Sequence, residues 1–499
     1  MCGSPETKGI VVSLLIFKIE SLLKSKRGGN ILCFNGYTYH KKGSSSKTTY
    51  WVCTRKPECK SSAVTEGKTA TVLKMGEHTH GPDQEDIEAK KIVHSLKTSA
   101  VQHSETSAAQ LVSRALRDVP STSGVLAKVP DRPTLQRLVN RVRQATLPPN
   151  PKSVADLGEL PRDFTVTDSG ELFLLYDNKE TMDGEGRILV FATKENLRIL
   201  FKSRIWFVDG TFETAPDIFL QLFTIHSLYD KDYSFPLVYA LLEKELELSY
   251  TAVLQAVKAM ATATGIHVLD PETVIADFEV AIINAVKFVL PNANLRLCCY
   301  HLGQSMWRSV QEHGLQADYI STEKPEVKNS IHQLLSLAFV PTDDVPSCFD
   351  ELLEVIPDEV EDIAEYFEKN YIRGSRPRNN RRPRRPRYET SLWNQYDSAI
   401  NGDPKTNNQS EGWHSRFANR VAKYQPSLYS LINELKREQA DTERLMAELA
   451  MGKKIRQDQR RVYRRRTERL ATLTAKYEDY RADNKIVDYL RECGHLFSL

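Results

Sequence analysis

Two short apolar runs in this sequence each lead into a carboxylate. Residues 205–208 precede Asp209 in the stretch RIWFVDGTFET, and the run TVIA precedes Asp277. A charge beside a buried strand is costly unless it is paired or binds a metal. Taken singly, each aspartate is explained as well by a strand-end residue that caps the following turn. On neighbouring strands of one sheet, however, the carboxylates would lie side by side and repel each other unless a divalent cation lies between them.

The segment around both aspartates predicts an α/β fold. RILVFAT and RIWFVDGT have the pattern of buried strands, and FLQLFTIHSLY and SFPLVYALLE form an antiparallel pair around a polar turn. A helix at about 249–264 is followed by the strand TVIADFE, the helix VAIINAVKFVL and the strand NLRLCCYH. This order predicts three antiparallel strands and then strands joined by helical crossovers.

A second metal ion usually requires a third acid. The best candidate is Glu411 in KTNNQSEGWHSRF, because the polar residues before it predict the start of a helix. A carboxylate in a first helical turn is also stabilised by the helix dipole without any catalytic role. The rival acids are Glu213, Glu279 and Glu389. Trp413 on the same helix could stack on an unpaired base or pack in a helix interface.

A zinc site is predicted near the N-terminus. Short alternating runs such as TTYWVC and TATVLKM indicate a small β unit. WVCTRKPEC supplies Cys53 and Cys59, and GEHTHG supplies His78 and His80. Two thiolates and two imidazoles suit tetrahedral zinc, which would help a unit with little core of its own to fold. The alternative is four residues that occur in this order by chance.

The remaining segments are predicted to be mainly helical. Apolar residues at helical spacing occur between residues 83 and 150 and between 303 and 400. A helix also follows Pro426, with leucines at heptad spacing that Glu438 and Thr442 interrupt. This interruption favours a packed helix over a dimeric coiled coil.

Charges are strongly segregated, although the net charge is only +3. Residues 342–368 contain eleven acidic residues and no Lys or Arg, whereas residues 373–387 contain eight arginines. Such basic blocks form solvated faces, nuclear-import signals or contacts with nucleic-acid phosphates. The candidates for DNA-backbone contacts are Lys41, Lys42, Arg381, Arg382, Arg384, Arg385, Arg464 and Arg465. We expect no membrane-spanning segment, and the eight cysteines favour a reduced intracellular compartment.

Residues 20–82 resemble a FLYWCH-type zinc finger, a β-sheet module related to the plant WRKY fold. The resemblance rests on the pattern GGNILCFNGYTYHKK, YWVC, C and HTH, with Leu32, Tyr37 or Tyr39, Trp51, Cys53 and the final histidines. It implies one structural zinc ion and a DNA or protein partner.

Residues 160–435 resemble the transposases of Mutator-like elements (MULE) through WFVDGTF, VIADFE, CCYH and TNNQSEGWHSRF. The resemblance implies a ribonuclease H-like core, residues 160–302 and 401–435, interrupted by a helical insertion at 303–400. It maps an Asp–Asp–Glu triad onto Asp209, Asp277 and Glu411, which would hold two Mg²⁺ or Mn²⁺ ions. The other predicted parts are the zinc finger, a helical region at 83–150 for DNA binding or linking, and a long basic C-terminal helix within 436–499.

The Cys-x-x-His landmark of the same family falls on Cys298 and His301. Two ligands do not make a zinc site. His301 could instead contact a phosphate near the acids, as could His414, and a hydrogen-bonded core pair explains Cys298 and His301 equally well.

Together these features predict a nuclear DNA transposase that acts on terminal inverted repeats as a dimer or higher oligomer. Cleavage and strand transfer would use two-metal-ion chemistry. The main alternative is a transposase-derived DNA-binding regulator without cleavage activity, and a third is a plain metal-dependent nuclease.

Overall fold

The computed structural model describes residues 17–18, 21–24, 28–67, 71–103, 106–121, 123–181, 184–229, 233–375, 384–421, 426–454 and 461–496. Arg381 and Arg382, two of the candidate DNA contacts, lie outside these residues. The chain divides into two compact units, Met1–Pro148 and Pro149–Leu499. Within the described part, no helix combines the length and the apolar character needed to cross a membrane.

The first unit begins with an antiparallel sheet. Its strands are β1 (Phe17–Lys18), β2 (Ser21–Lys24), β3 (Asn30–Phe34), β4 (Tyr37–Ser44), β5 (Thr48–Cys53), β6 (Ser62–Glu66) and β7 (Thr71–Met75). Among the described residues they form seven strands in the order β1-β7-β6-β5-β4-β3-β2. Alternation along β5 buries Trp51 and Cys53 on one face, where they pack with Leu32 and Tyr39. The predicted small β unit is confirmed.

Helices follow this sheet, as predicted. They are α1 (Gln84–Gln102), α2 (Ala108–Leu116), α3 (Val125–Lys128) and α4 (Arg132–Gln144). Helices α1, α2 and α4 surround an apolar core of Leu96, Ala100, Leu111, Val112, Leu135 and Val139. Each of the three begins at a side-chain cap, provided by Asp83, Ser107 and Asp131 respectively.

The second unit contains a mixed sheet. Its strands are β8 (Leu174–Asp177), β9 (Ile188–Phe191), β10 (Ile205–Thr211), β11 (Gln221–Tyr229), β12 (Tyr233–Leu242), β13 (Thr273–Ala276) and β14 (Asn294–Leu297). In the described residues their order is β14-β13-β10-β11-β12-β9-β8. Strands β10, β11 and β12 are antiparallel neighbours, whereas β13 runs parallel to β10 and β14 parallel to β13. The predicted α/β class and this arrangement are confirmed.

The helices next to the sheet are α5 (Lys194–Leu200), α6 (Glu247–Ala263), α7 (Val280–Val289) and α8 (Cys299–Glu312). The prediction that NLRLCCYH is a strand throughout was wrong in its second half. Strand β14 ends at Leu297, and α8 begins two residues later. The reason is a change of spacing, because Leu302, Met306 and Val310 recur at helical intervals and all enter the core.

Residues 303–400 are mainly helical, in agreement with the sequence pattern. After α8 the helices are α9 (Gln316–Ile320), α10 (Pro325–Ser336), α11 (Val345–Leu353), α12 (Glu361–Phe367), α13 (Thr390–Trp393) and α14 (Tyr396–Asn401). The acidic and basic stretches meet within this segment, since both terminal nitrogens of Arg373 bond to the Asp350 carboxylate at 2.7–2.8 Å. Part of the segregated charge is therefore paired internally.

The C-terminal region is helical but does not form the single long helix that was predicted. The helices are α15 (Asn408–Val421), α16 (Leu428–Ala450), α17 (Arg461–Thr474), α18 (Tyr477–Ala482) and α19 (Ile486–Gly494). Helix α16 ends because Gly452 has φ of +81° and the Lys453 N–H turns back to the Glu448 carbonyl at 3.0 Å. As predicted, α16 packs into the fold, with Leu431 and Leu435 fully buried.

Candidate active site and zinc centre

Asp209 on β10 lies close to Asp277, the residue that directly follows the neighbouring parallel strand β13. Strand β10 pairs with β13 so that Ile205 faces Thr273 and Phe207 faces Ile275. Two residues further, the same register brings Asp209 opposite Asp277. Burial, followed by the charge of Asp277, raises the pKa of Asp209 well above its usual range. The predicted proximity of the two carboxylates is therefore present in the fold.

Asp209 lies inside its strand rather than at the strand end as predicted. Strand β10 continues to Thr211, and the Gly210 N–H donates to Asp209 Oδ1 at 2.8 Å. A side chain at position 210 would collide with that of Gln221, which accepts a hydrogen bond from Tyr250 at 2.8 Å. Gly210 therefore leaves space for the Gln221 side chain and its hydrogen bond with Tyr250. From the sequence, the stretch was predicted to be the start of a turn.

Glu411 and His414 lie in the first turns of α15, close to Asp209. His414 Nε2 is 3.4 Å from Asp209 Oδ2 and 3.3 Å from Thr224 Oγ1. The Thr224 hydroxyl in turn lies 3.1 Å from His226 Nε2. Neither Thr224 nor His226 was predicted from the sequence to belong to the site. Their position, two polar residues at alternate places in the apolar strand FLQLFTIHSLY, could have indicated it.

His301 lies between the second aspartate and the glutamate. Its Nδ1 is 2.8 Å from Asp277 Oδ1, and its Nε2 is 3.4 Å from Glu411 Oε1. Cys298, His301 and Glu411 each offer a ligand atom, and these three atoms lie within 4.8 Å of one another. Asn407 joins the same group, because its side-chain amide donates to Asp277 Oδ1 at 2.8 Å. Glu411 is thus the third potential ligand that the Cys-x-x-His pair lacked in the sequence.

Burial and nearby charge control protonation in this cluster. Burial raises the pKa of Glu411, an effect that His301 opposes. Burial also lowers the pKa of His414 to about 4, so this imidazole is neutral at pH 7. The pKa of His301 is lowered by burial, but the carboxylates of Asp277 and Glu411 outweigh burial and raise it. Without a cation, the cluster favours the uptake of protons, because the pKa values of Asp209, Glu411 and His301 are all raised.

Helix α16 holds the helix that carries Glu411. The carboxylate of Glu438 on α16 is buried between the two helices. It accepts hydrogen bonds from Trp413 Nε1 at 2.7 Å, Arg416 at 2.6 Å and Arg420 at 3.0 Å. Trp413 is 5% exposed, so its ring packs in the helix interface and offers no face to a base. Glu438 looked like an interruption of a heptad pattern in the sequence, but it anchors α15.

The rival acids differ in their surroundings. Glu213 and Glu389 are exposed. Glu279 is partly buried beside Tyr250, and burial together with the charges of Glu245 and Asp277 raises its pKa to about 7. Glu279 is therefore the rival with an environment closest to that of the acid cluster.

The four zinc candidates converge in the first unit. Cys53 ends β5, Cys59 lies in the following loop, and both histidines follow β7. The shortest approaches are 3.2 Å from Cys53 Sγ to His80 Nε2, 3.4 Å from Cys59 Sγ to His78 Nδ1 and 3.3 Å between the two imidazoles. A tetrahedron with zinc–ligand bonds of about 2.0–2.3 Å has edges of about 3.3–3.8 Å. This Cys/His cluster fits zinc binding.

Neighbouring groups orient the ligands for this role. Tyr39 hydroxyl lies 2.7 Å from His78 Nε2, which leaves Nδ1 directed to the cluster. In His80 the two ring nitrogens have the opposite roles. Its Nδ1 lies 2.9 Å from the Gly81 carbonyl, and its Nε2 faces the thiolates. Burial opposes ionisation of Cys59, but backbone N–H groups lower its pKa to about 7. Such outer contacts fix the tautomers of zinc ligands.

Candidate DNA contacts within the described residues lie on the surface. Lys41 and Lys42 are exposed on β4. Arg384 and Arg385 are exposed, and Arg385 lies 3.7 Å from Glu389. In α17, Arg464 and Arg465 are exposed, and Arg464 is 3.8 Å from Glu468. These positions are accessible to a polyanion.

Two family models match the chain. Residues 205–305 match the MULE transposase domain, a range that includes Asp209, Asp277 and the Cys-x-x-His pair but ends before Glu411. Residues 22–80 match the FLYWCH zinc finger domain and include all four candidate zinc ligands. No curated protein matches the chain. The chain therefore carries an N-terminal FLYWCH zinc finger domain followed by a MULE transposase domain, the architecture predicted from its sequence.

Proposed function

We propose that this protein is a Mutator-like DNA transposase that binds transposon terminal inverted repeats and carries out cleavage and strand transfer in the nucleus. The match to the MULE transposase domain makes the chain transposase-related. The observation that carries the finer proposal is the convergence of three acids from distant parts of the chain. Asp209 faces Asp277 across two strands, and His301 contacts both Asp277 and Glu411.

A ribonuclease H-like core is supported by the sheet order. Strands β10, β11 and β12 form an antiparallel meander, and β13 and β14 extend the sheet in parallel on the other side of β10. Asp209 lies on β10, the strand at which antiparallel pairing changes to parallel pairing, and Asp277 directly follows its parallel neighbour β13. Rigid, buried strands are suited to holding metal ligands within narrow distance limits.

The acids fit divalent cations that prefer oxygen ligands. Asp209 is 5% exposed, and the charge of Asp277 adds to burial in raising its pKa. A cation between the carboxylates would relieve this repulsion, which burial of Asp209 leaves weakly screened. We assign Asp209, Asp277 and Glu411 to the binding of Mg²⁺ or Mn²⁺.

Residues around the acids would prepare the site for phosphodiester chemistry. When bound, two such cations would lower the pKa of an attacking water or 3′-hydroxyl and stabilise the leaving oxygen. The Gly210 N–H orients Asp209, and the Asn407 amide orients Asp277. His301, whose ring nitrogens lie 2.8 Å from Asp277 and 3.4 Å from Glu411, would orient these two acids. No covalent intermediate with the protein is needed.

The first unit would supply DNA recognition. Cys53, Cys59, His78 and His80 would hold one structural zinc ion in the finger. The exposed lysines and arginines would bind phosphates with strongly salt-dependent affinity. Because transposition requires two transposon ends together, we infer a dimer or higher oligomer.

Strand cleavage in vitro tests the proposal. The full-length protein is incubated, with Mg²⁺ and separately with Mn²⁺, with linear DNA that carries the sequences flanking its coding region. We expect nicks or breaks at the ends of the element, and we expect Asp277→Asn to abolish them. Glu213→Gln is the matched control, since it removes an exposed carboxylate from the chain just after Asp209.

Cleavage that survives Asp277→Asn would refute the metal-ligand assignment. If the wild-type protein binds the end DNA but does not cut it with either cation, the non-cleaving regulator would replace the transposase proposal. Cleavage without preference for the ends would indicate a plain nuclease.

A further inference from the structure

The outer face of α4 is basic and polar, and none of the sites above uses it. The inner face packs Leu135 and Val139 into the core shared with α1 and α2. On the opposite side, Arg137, Asn140 and Arg141 are exposed, followed one turn later by Gln144. These four positions lie on one side of the helix. Asn140 and Arg141 follow Arg137 by three and four residues, and Gln144 follows Arg141 by three.

Positive charge exceeds negative charge in this region, although Lys128 is paired with Asp83. Between residues 107 and 147 there are seven Lys and Arg residues but only two acids, Asp118 and Asp131. Helix α4 itself has four arginines and no acid. Within the described part of the chain, neither Arg137 nor Arg141 lies within ion-pair distance of a carboxylate. The Arg137 guanidinium contacts only its own helix, through Thr134 Oγ1 at 3.1 Å and a backbone carbonyl.

The helix is held rigidly behind this face. Arg143 donates to the carbonyls of Ala100, His103 and Thr106 at 2.6–3.1 Å, which binds the end of α4 to α1. At the start of α4, Arg132 contacts Ser113 on α2 at 3.3 Å. Arg132 and Arg143 therefore support the fold, while the arginines on the opposite face stay available for a ligand.

We propose that this face of α4 enters the major groove of double-stranded DNA and contacts base edges. Arginine pairs with guanine, and asparagine and glutamine pair with adenine, through two hydrogen bonds each. From Arg137 to Gln144 the helix rises about 10 Å, which equals the rise of about three base pairs. The groove of B-form DNA admits a helix, whereas the deep, narrow major groove of duplex RNA does not.

This inference deepens the DNA-binding part of the proposed function and does not depend on cleavage at the acids. The Arg-rich segments offer mainly charge, which binds DNA without regard to sequence. Helix α4 adds side-chain amides beside guanidinium groups, the combination that distinguishes base pairs. It would therefore contribute to the choice of transposon end.

A selection from randomised double-stranded DNA tests the inference. The full-length wild-type protein, Asn140→Ala, Arg141→Ala and the control Lys97→Ala are each used to enrich a library with a random core. Lys97 lies on α1 and supplies a matched loss of one charge in the same bundle. Circular dichroism checks that each variant is folded. The zinc finger is present in all four proteins, so its contribution is common to them.

We expect the wild type to enrich a defined motif. Each α4 variant should lose preference at one or two adjacent positions, with discrimination there reduced about 5- to 150-fold. Lys97→Ala should keep the motif and lower affinity evenly for all sequences. Duplex RNA of the selected sequence should compete poorly with the selected DNA for binding to the wild-type protein.

Two results would overturn the inference. One is an unchanged motif with unchanged preferences in both α4 variants, which would leave these residues at most as phosphate contacts. The other is equal competition by duplex RNA. Either result can occur while Asp277-dependent cleavage persists, so failure here is distinguishable from failure of the transposase proposal.

Discussion

Glu438→Leu tests whether a buried carboxylate anchors the helix that carries Glu411. Glu438 is 3% exposed and accepts the indole N–H of Trp413 at 2.7 Å. Leucine occupies a similar volume but cannot accept a hydrogen bond. The N–H of Trp413 would then remain buried without an acceptor in the core.

The expected cost follows from the partners of Glu438. A buried N–H left without an acceptor costs about 1–3 kcal/mol. Loss of the two arginine contacts adds little to this cost. The Arg416 side chain is 62% exposed, and Arg420 retains its ion pair with Asp441 at 2.8 Å. We expect Glu438→Leu to lower the free energy of unfolding of the second unit by about 2–3 kcal/mol. Glu438→Gln keeps an acceptor for the indole and should cost only about 1 kcal/mol.

Urea unfolding followed by tryptophan fluorescence measures the change in the free energy of unfolding of the second unit. Of the five tryptophans, four lie in the second unit, at positions 206, 307, 393 and 413. Repeating Glu438→Leu in a Trp413→Phe background sharpens the test, because phenylalanine has no N–H to leave unpaired. The cost should then fall by about 1–3 kcal/mol. A neutral or stabilising Glu438→Leu in both backgrounds would show that desolvation of the carboxylate outweighs its hydrogen bonds, and would refute the anchor role.

Three further predictions concern the acid cluster, the zinc centre and Gly210. Asp209→Asn should raise the Tm of the metal-free protein at pH 7. Burial and Asp277 raise the pKa of Asp209, so ionisation of this carboxyl group destabilises the folded wild type as pH rises above about 4. In EDTA, the Tm values of wild type and variant should therefore converge below that pH. Equal Tm values of the two proteins at pH 7 would contradict this reasoning. Tyr39→Phe should weaken zinc affinity about 10-fold by removing the contact with His78, as competition with a chromophoric chelator would measure. Gly210→Ala should lower the free energy of unfolding by about 1–3 kcal/mol, because its methyl group meets Gln221; unchanged urea unfolding would show that the core can accommodate it.

Local pattern was enough to predict the elements that carry the acids. The apolar run before Asp209 and the strand–helix alternation up to Asp277 are read from adjacent residues, and the sheet confirms them. The polar residues before Glu411 likewise predicted the start of a helix, and Glu411 lies in the first turn of α15. Where two signals overlapped, prediction failed: the apolar residues of NLRLCCYH suit a strand, but those that follow Cys298 have the period of a helix.

The composition and spacing of the chain determine a Cys/His set suited to zinc, an α/β sheet and two aspartates in or directly after buried strands, because each depends on residues close together in sequence. Tertiary packing decides which distant side chains meet them. His301 reaches both Asp277 and Glu411 only because α8 and α15 pack beside the same strands. Glu438 changes from an apparent flaw in a heptad to an anchor only when α15 lies against α16. Hydrogen bonds and charge interactions decay within a few ångströms, so their partners are set by the packing of whole elements and leave no local signature in the sequence.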